Sequence, residues 1–114
     1  MSRLKVAAVV VAIGSIIFFV AAVSPISRVF GLPTAGARWR LISASANAWI
    51  FSQVLFAAGS IITAVGVLLS ARALQGRSAV SALYLAGFLL LIGAAAWTWH
   101  VYLRAEDPRA FIDG

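Results

Sequence analysis

Apolar residues run along this chain in three long blocks instead of alternating with polar ones. No Asp, Glu, Lys or Arg occurs in 6–27, 41–71 or 78–103, stretches of 22, 31 and 26 residues in a chain of 114. An α-helix needs roughly 20 mostly apolar residues to cross the hydrocarbon core of a bilayer. Each block reaches that length, so the pattern predicts an all-α membrane protein whose single integral domain, 1–114, contains three transmembrane helices. The spans fall at about 4–23, 41–70 and 79–103, with an interfacial loop at 24–40 and a tail at 104–114.

Small residues recur within the blocks at a seven-residue period. In span one they are Ala7, Gly14 and Ala21; in span two Ser45, Ser52, Gly59 and Gly66; in span three Ala79, Ala86 and Gly93, continued by His100. Lipid tails are as apolar as leucine, so membrane helices associate through close packing at small residues and through a few polar contacts. A period of seven is the mark of a left-handed crossing, and the expectation is a left-handed three-helix bundle packed at these positions. Span two also places Gly59, Thr63, Gly66 and Ser70 on one face, which reads as a second seam able to receive a partner. Asn47 and Gln53 are candidates for interhelical hydrogen bonds.

The connections carry their own signals. Ser24-Pro25 reads as a helix N-cap and first helical residue, and Gly31 as a stop; Ile26, Val29 and Phe30 would share one face. The first loop therefore offers either a short interfacial helix or an irregular loop. Leu32-Pro33-Thr34-Ala35-Gly36 is rich in turn residues, and Arg38, Trp39 and Arg40 form an interface anchor before span two. Span two exceeds a ~30 Å core, and Ser43, Ser45 and Asn47 stand at its start, so its apolar crossing is placed at about 49–70, with Trp49 at the interface. Asp107-Pro108 blocks helix beyond span three.

Composition narrows the function classes. The chain contains no cysteine, which removes disulfides, thiolate metal sites and cysteine nucleophiles. The net charge of +6 comes from basic residues scattered around the spans, the way membrane helices are flanked, so the implied partner is anionic lipid headgroups and not nucleic acid. Eight Arg against one Lys, with abundant Ala, suggest a GC-rich bacterial genome and hence a bacterial cytoplasmic membrane. Arg3 and Lys5 before a long apolar run read as an uncleaved signal anchor.

Sidedness is only partly legible. Arg3, Lys5, Arg72 and Arg77 stand against Arg28, Arg38, Arg40, Arg104 and Arg109, which is no decisive bias, and the first helix then favours an inside N-terminus and an outside C-terminus. The aromatic residues are lopsided: Trp39, Trp49, Trp97, Trp99 and Tyr102 all fall at the end of the first loop and the tail. An ordinary aromatic belt occupies both interfaces, so the asymmetry suggests that this end meets something besides lipid.

Function inside a membrane is usually marked by ionisable residues in the spans. Here only His100 qualifies, and no carboxylate pair, catalytic triad or phosphate loop accompanies it. An enzyme or a carboxylate-driven transporter is not expected. The sequence requires no cofactor, but neutral His100 could serve as axial ligand of a tetrapyrrole. Ala96-Trp97-Thr98-Trp99-His100 has a small-x-x-x-His spacing that resembles light-harvesting antenna helices, a resemblance confined to these five residues. The expected function is a small non-catalytic integral membrane subunit within a larger hetero-complex. A pigment- or haem-binding subunit is the first alternative, and an oligomeric channel or transporter component the second.

Overall fold

The computed structural model describes residues 2–76 and 80–113. Three of its helices are long and apolar enough to cross a membrane: α1 (Arg3–Val23), α3 (Ala46–Ala73) and α4 (Val80–Glu106). Shorter helices cluster at one end, namely a 3₁₀ helix (Pro25–Gly31), α2 (Ala35–Ala44) and α5 (Pro108–Asp113). The chain is an all-α integral membrane protein with extents of 55 × 25 × 21 Å. Ala79, the first residue of the expected third seam, and Arg77 lie outside the described residues.

Local chemistry sets the boundaries. The Ser2 hydroxyl accepts from the Lys5 amide at 3.2 Å and caps α1. At the other end, Ser24 and Ser27 both donate from their hydroxyls to the Ala21 carbonyl, at 2.8 and 2.6 Å, beside the long 3.4 Å bond from the Ser24 amide. Pro25 then starts the 3₁₀ helix, where side chains three apart eclipse one another. Ile26 and Val29 are accordingly buried together, whereas Phe30 is half exposed. The Thr34 hydroxyl caps α2 by accepting from Ala37 at 3.1 Å.

Span two departs from the expected continuous segment. Helix breaks at Ser45, whose φ of −135° and ψ of 49° lie outside the helical region, so α2 and α3 are separate. Arg38, Trp39 and Arg40 stand inside α2 and are not loop residues. Just before the break, the Ser43 hydroxyl donates back to the Trp39 carbonyl at 2.7 Å. Span three also runs further than expected, to Glu106. Asp107 then accepts from Ala110 at 3.1 Å, with Pro108 as first residue of α5.

Helix α3 is the centre of the molecule. On one side it meets α1 through backbone-to-backbone contact at glycines. A Cβ on Gly14 would lie 2.6 Å from the Thr63 amide, one on Gly59 2.7 Å from the Phe18 amide, and one on Gly66 2.8 Å from the Val11 amide. Ala7, Gly14 and Ala21 are the buried residues of α1. Thr63 belongs to this same contact, so Gly59, Thr63 and Gly66 of the two seams read on span two form one face turned to α1. On the other side α4 packs with Gly87, Ala94, Val101 and Arg104 buried, the Leu68 side chain of α3 occupying the space where Gly87 lacks a Cβ.

That phase corrects the expected seam of span three. Ala86 and Gly93 are exposed, and a Cβ on Gly93 would meet nothing within 4 Å. The buried register lies one residue later. Gly87 and Ala94 repeat the period of Ala86 and Gly93, so spacing alone does not choose between the two; the bulk of Leu68 opposite does. The bundle is also not closed. Among the described residues no Cα of α1 comes within 8 Å of a Cα of α4, so these two helices flank α3 and do not complete a triangle.

Candidate functional site

At the aromatic end the short helices form a cap over the bundle. Ile26, Val29, Ile42, Trp49 and Ile112 make its buried core, with Trp39 and Leu41 packed against it. Four elements, with residues up to 86 positions apart, are thus joined by one apolar cluster. Arg109 lies over the Trp39 ring at 4.4 Å, which pins α5 to α2 by a cation–π contact.

Beneath the cap Arg104 is 5% exposed, its guanidinium 5.2 Å from the centre of the Phe30 ring and 5.0 Å from Trp97. The sequence reading placed this residue at the wet end of span three. Extension of α4 to Glu106 instead carries it under the 3₁₀ helix, where aromatic faces replace part of its hydration. Trp49 is fully buried and donates from Nε1 to the Arg104 carbonyl at 3.2 Å. A second cluster, Ala21, Phe56 and Val101 with Trp97 beside it, continues into the bundle. There the Phe18 and Phe56 rings meet edge to face at 5.0 Å.

These contacts account for most of the aromatic asymmetry. Trp39 and Trp49 pack in the chain's own cap and Trp97 in the bundle beneath it, and of these five only Trp99 and Tyr102, stacked at 5.7 Å, are exposed as a belt would be. The expectation that this end meets something besides lipid is therefore met first by the chain itself. Of the basic anchors, Arg38 donates from Nε to the Leu32 carbonyl at 3.0 Å, and Arg40 is exposed.

The other residues singled out by sequence fall as follows. Gly14, Ser52, Gly59 and Gly66 are buried. Asn47 is exposed. Gln53 is 2% exposed, but its hydrogen bond, from Nε2 to the Ser52 hydroxyl at 3.2 Å, stays within α3 and not between helices. Ser52 in turn donates to the Trp49 carbonyl at 2.7 Å, so its oxygen is left to accept from Gln53, which fixes the orientation of the amide. His100 is exposed, its ring 5.7 Å from that of Trp97, and makes no hydrogen bond with Asn47, Ser52 or Gln53. Among the described residues no three His, Cys, Asp or Glu side chains converge.

Several hollows open along the bundle, and two of them are distinguished by their lining. The larger of these two, about 790 Å³, lies between α1 and α4 with α3 as its floor. Small residues face it from each helix: Ser15, Ser60, Thr63, Gly93 and Ala94. Phe18 and Trp97, 6.4 Å apart, stand at its aromatic end. The hydroxyls of Ser60 and Thr63 are engaged by carbonyls of their own helix, Ala57 at 2.9 Å and Gly59 at 2.8 Å. Trp97 Nε1, shielded from water, has no acceptor among the described residues. The smaller hollow, about 320 Å³, lies between the 3₁₀ helix, the end of α1 and the start of α3.

With this geometry in view, comparison with known proteins adds no relative: no family model, curated protein or solved structure matches the chain.

Proposed function

We propose that this protein is a small non-catalytic subunit of a larger membrane complex, and that a transmembrane helix of a partner subunit lies in the cleft between α1 and α4. The observation that carries this reading is the gap itself. Two helices flank a third with no close backbone approach to each other, touching only through side chains at the aromatic end, and the floor and walls between them include the small side chains that let helices approach closely in lipid. Gly93, part of a seven-residue register that α3 does not use, faces that gap. A fourth helix would turn the open layer into a four-helix bundle, the commoner way to bury helix faces. We assign the protein to a bacterial cytoplasmic membrane, with Arg3 and Lys5 supporting an inside N-terminus.

The test is the size of the native particle in mild detergent. A large particle with stoichiometric companions is expected from the wild type. Gly93→Ile, which adds bulk where the chain itself has room, should lose those companions with helix content unchanged. A small particle of this chain alone from the wild type overturns the reading.

A further inference from the structure

The smaller hollow differs from the other grooves at the aromatic end in the charge at its mouth. Arg28, on the exposed side of the 3₁₀ helix, stands there with Ser24 and Ser45, and no carboxylate lines the site. The first turn of α3 beside it carries no acidic residue either. Ser45, at the break between α2 and α3, makes no capping hydrogen bond with its hydroxyl. Below this polar mouth the walls become apolar, with Val20 from α1 and Phe51 and Leu55 from α3. Leu55 lies ten residues beyond Ser45, roughly 15 Å down the helix at 1.5 Å per residue. The site is thus cationic at headgroup level and continuous with the hydrocarbon level below it. On the other side of α3, the groove shared with α4 has Glu106 at its end instead.

We propose that the groove between the 3₁₀ helix and α3 seats one anionic phospholipid, its phosphate at Arg28 with Ser45 beside it and an acyl chain along Phe51 and Leu55. Charge complementarity selects an anionic headgroup over a zwitterionic one, because a single guanidinium faces the site and no carboxylate is present to balance a lipid ammonium. The apolar walls select a lipid over a free phosphate ion, which would leave the lower part of the groove unfilled. The site makes no use of the α1/α4 cleft, so it stands or falls apart from the subunit reading.

Native mass spectrometry of the delipidated full chain, supplied with equal amounts of phosphatidylglycerol and phosphatidylcholine of matched acyl chains, tests it. The wild type should retain one phosphatidylglycerol, at least tenfold over phosphatidylcholine, and millimolar inorganic phosphate should not displace it. Arg28→Gln should bring the two lipids to parity. Leu55→Trp, which fills the groove below an intact Arg28, should lose the retained lipid, and Arg40→Gln, outside the groove, should behave as wild type. Equal retention of both lipids by the wild type, displacement by phosphate, or an undiminished preference in Arg28→Gln would overturn the proposal.

Discussion

The indole Nε1 of Trp49 donates to the backbone carbonyl of Arg104 at 3.2 Å, 55 residues away in the chain. In a continuing helix that carbonyl would receive the amide four residues on. Residue 108 is proline, which has no amide hydrogen. Trp49 therefore supplies from α3 the donor that α4 lacks at its own end, and the same contact ties the two helices together under the cap.

Replacing Trp49 by Phe keeps most of the apolar volume and removes this buried hydrogen bond to the Arg104 carbonyl. The expected loss is about 1–3 kcal/mol, read as a lowered unfolding midpoint in detergent. Pro108→Ala restores an amide at the missing position. In a double-mutant cycle it should recover part of the Trp49→Phe loss. The exposed Trp99→Phe should change stability by no more than about 0.5 kcal/mol.

The α1/α3 contact should tolerate no added carbon. A Cβ on Gly59 would fall 2.7 Å from the Phe18 amide and 2.8 Å from the Gly14 carbonyl, both backbone atoms that move only with their helices. Gly59→Ala should therefore cost about 1–3 kcal/mol by overpacking. Gly93→Ala, where nothing stands within 4 Å, should be neutral or gain up to about 1 kcal/mol in helix propensity. Reversible unfolding of the two variants in mixed micelles measures the difference.

How far the chain announced this structure varies element by element. The three spans are legible because a charge-free block of this length has few alternatives, and α1 packs on Ala7, Gly14 and Ala21, the residues its period singles out. The break at Ser45 is not legible in the sequence, because hydropathy sees only an uncharged run, whereas the break is a matter of the backbone dihedrals of one residue. Span three shows the limit of periodicity, since Ala86/Gly93 and Gly87/Ala94 carry the same spacing one residue apart. Burial of Arg104 was hidden for a different reason. An arginine at the end of a span reads as a headgroup anchor until the 3₁₀ helix is known to fold over it with Phe30.

The cap should loosen without the bundle. Ile112 is the buried residue through which α5 joins the apolar core of Ile26, Val29, Ile42 and Trp49. Ile112→Ala leaves a cavity costing about 2–5 kcal/mol at a well-packed site. Hydrogen exchange should accelerate in α5, α2 and the 3₁₀ helix, while the amides in the middle of α1, α3 and α4 keep their protection. Uniform acceleration along the chain would mean that cap and bundle unfold as one unit.

The central claim, that another helix occupies the cleft between α1 and α4, is tested most directly by a photoreactive phenylalanine analogue in native membranes. Leu90 lines the cleft, whereas Ile92, two residues on, is 67% exposed and outside it. The account predicts a single adduct of discrete mass from position 90, joined to a different membrane protein, and none of that mass from position 92. Adducts of this chain with itself alone, or equal labelling from both positions, would contradict it.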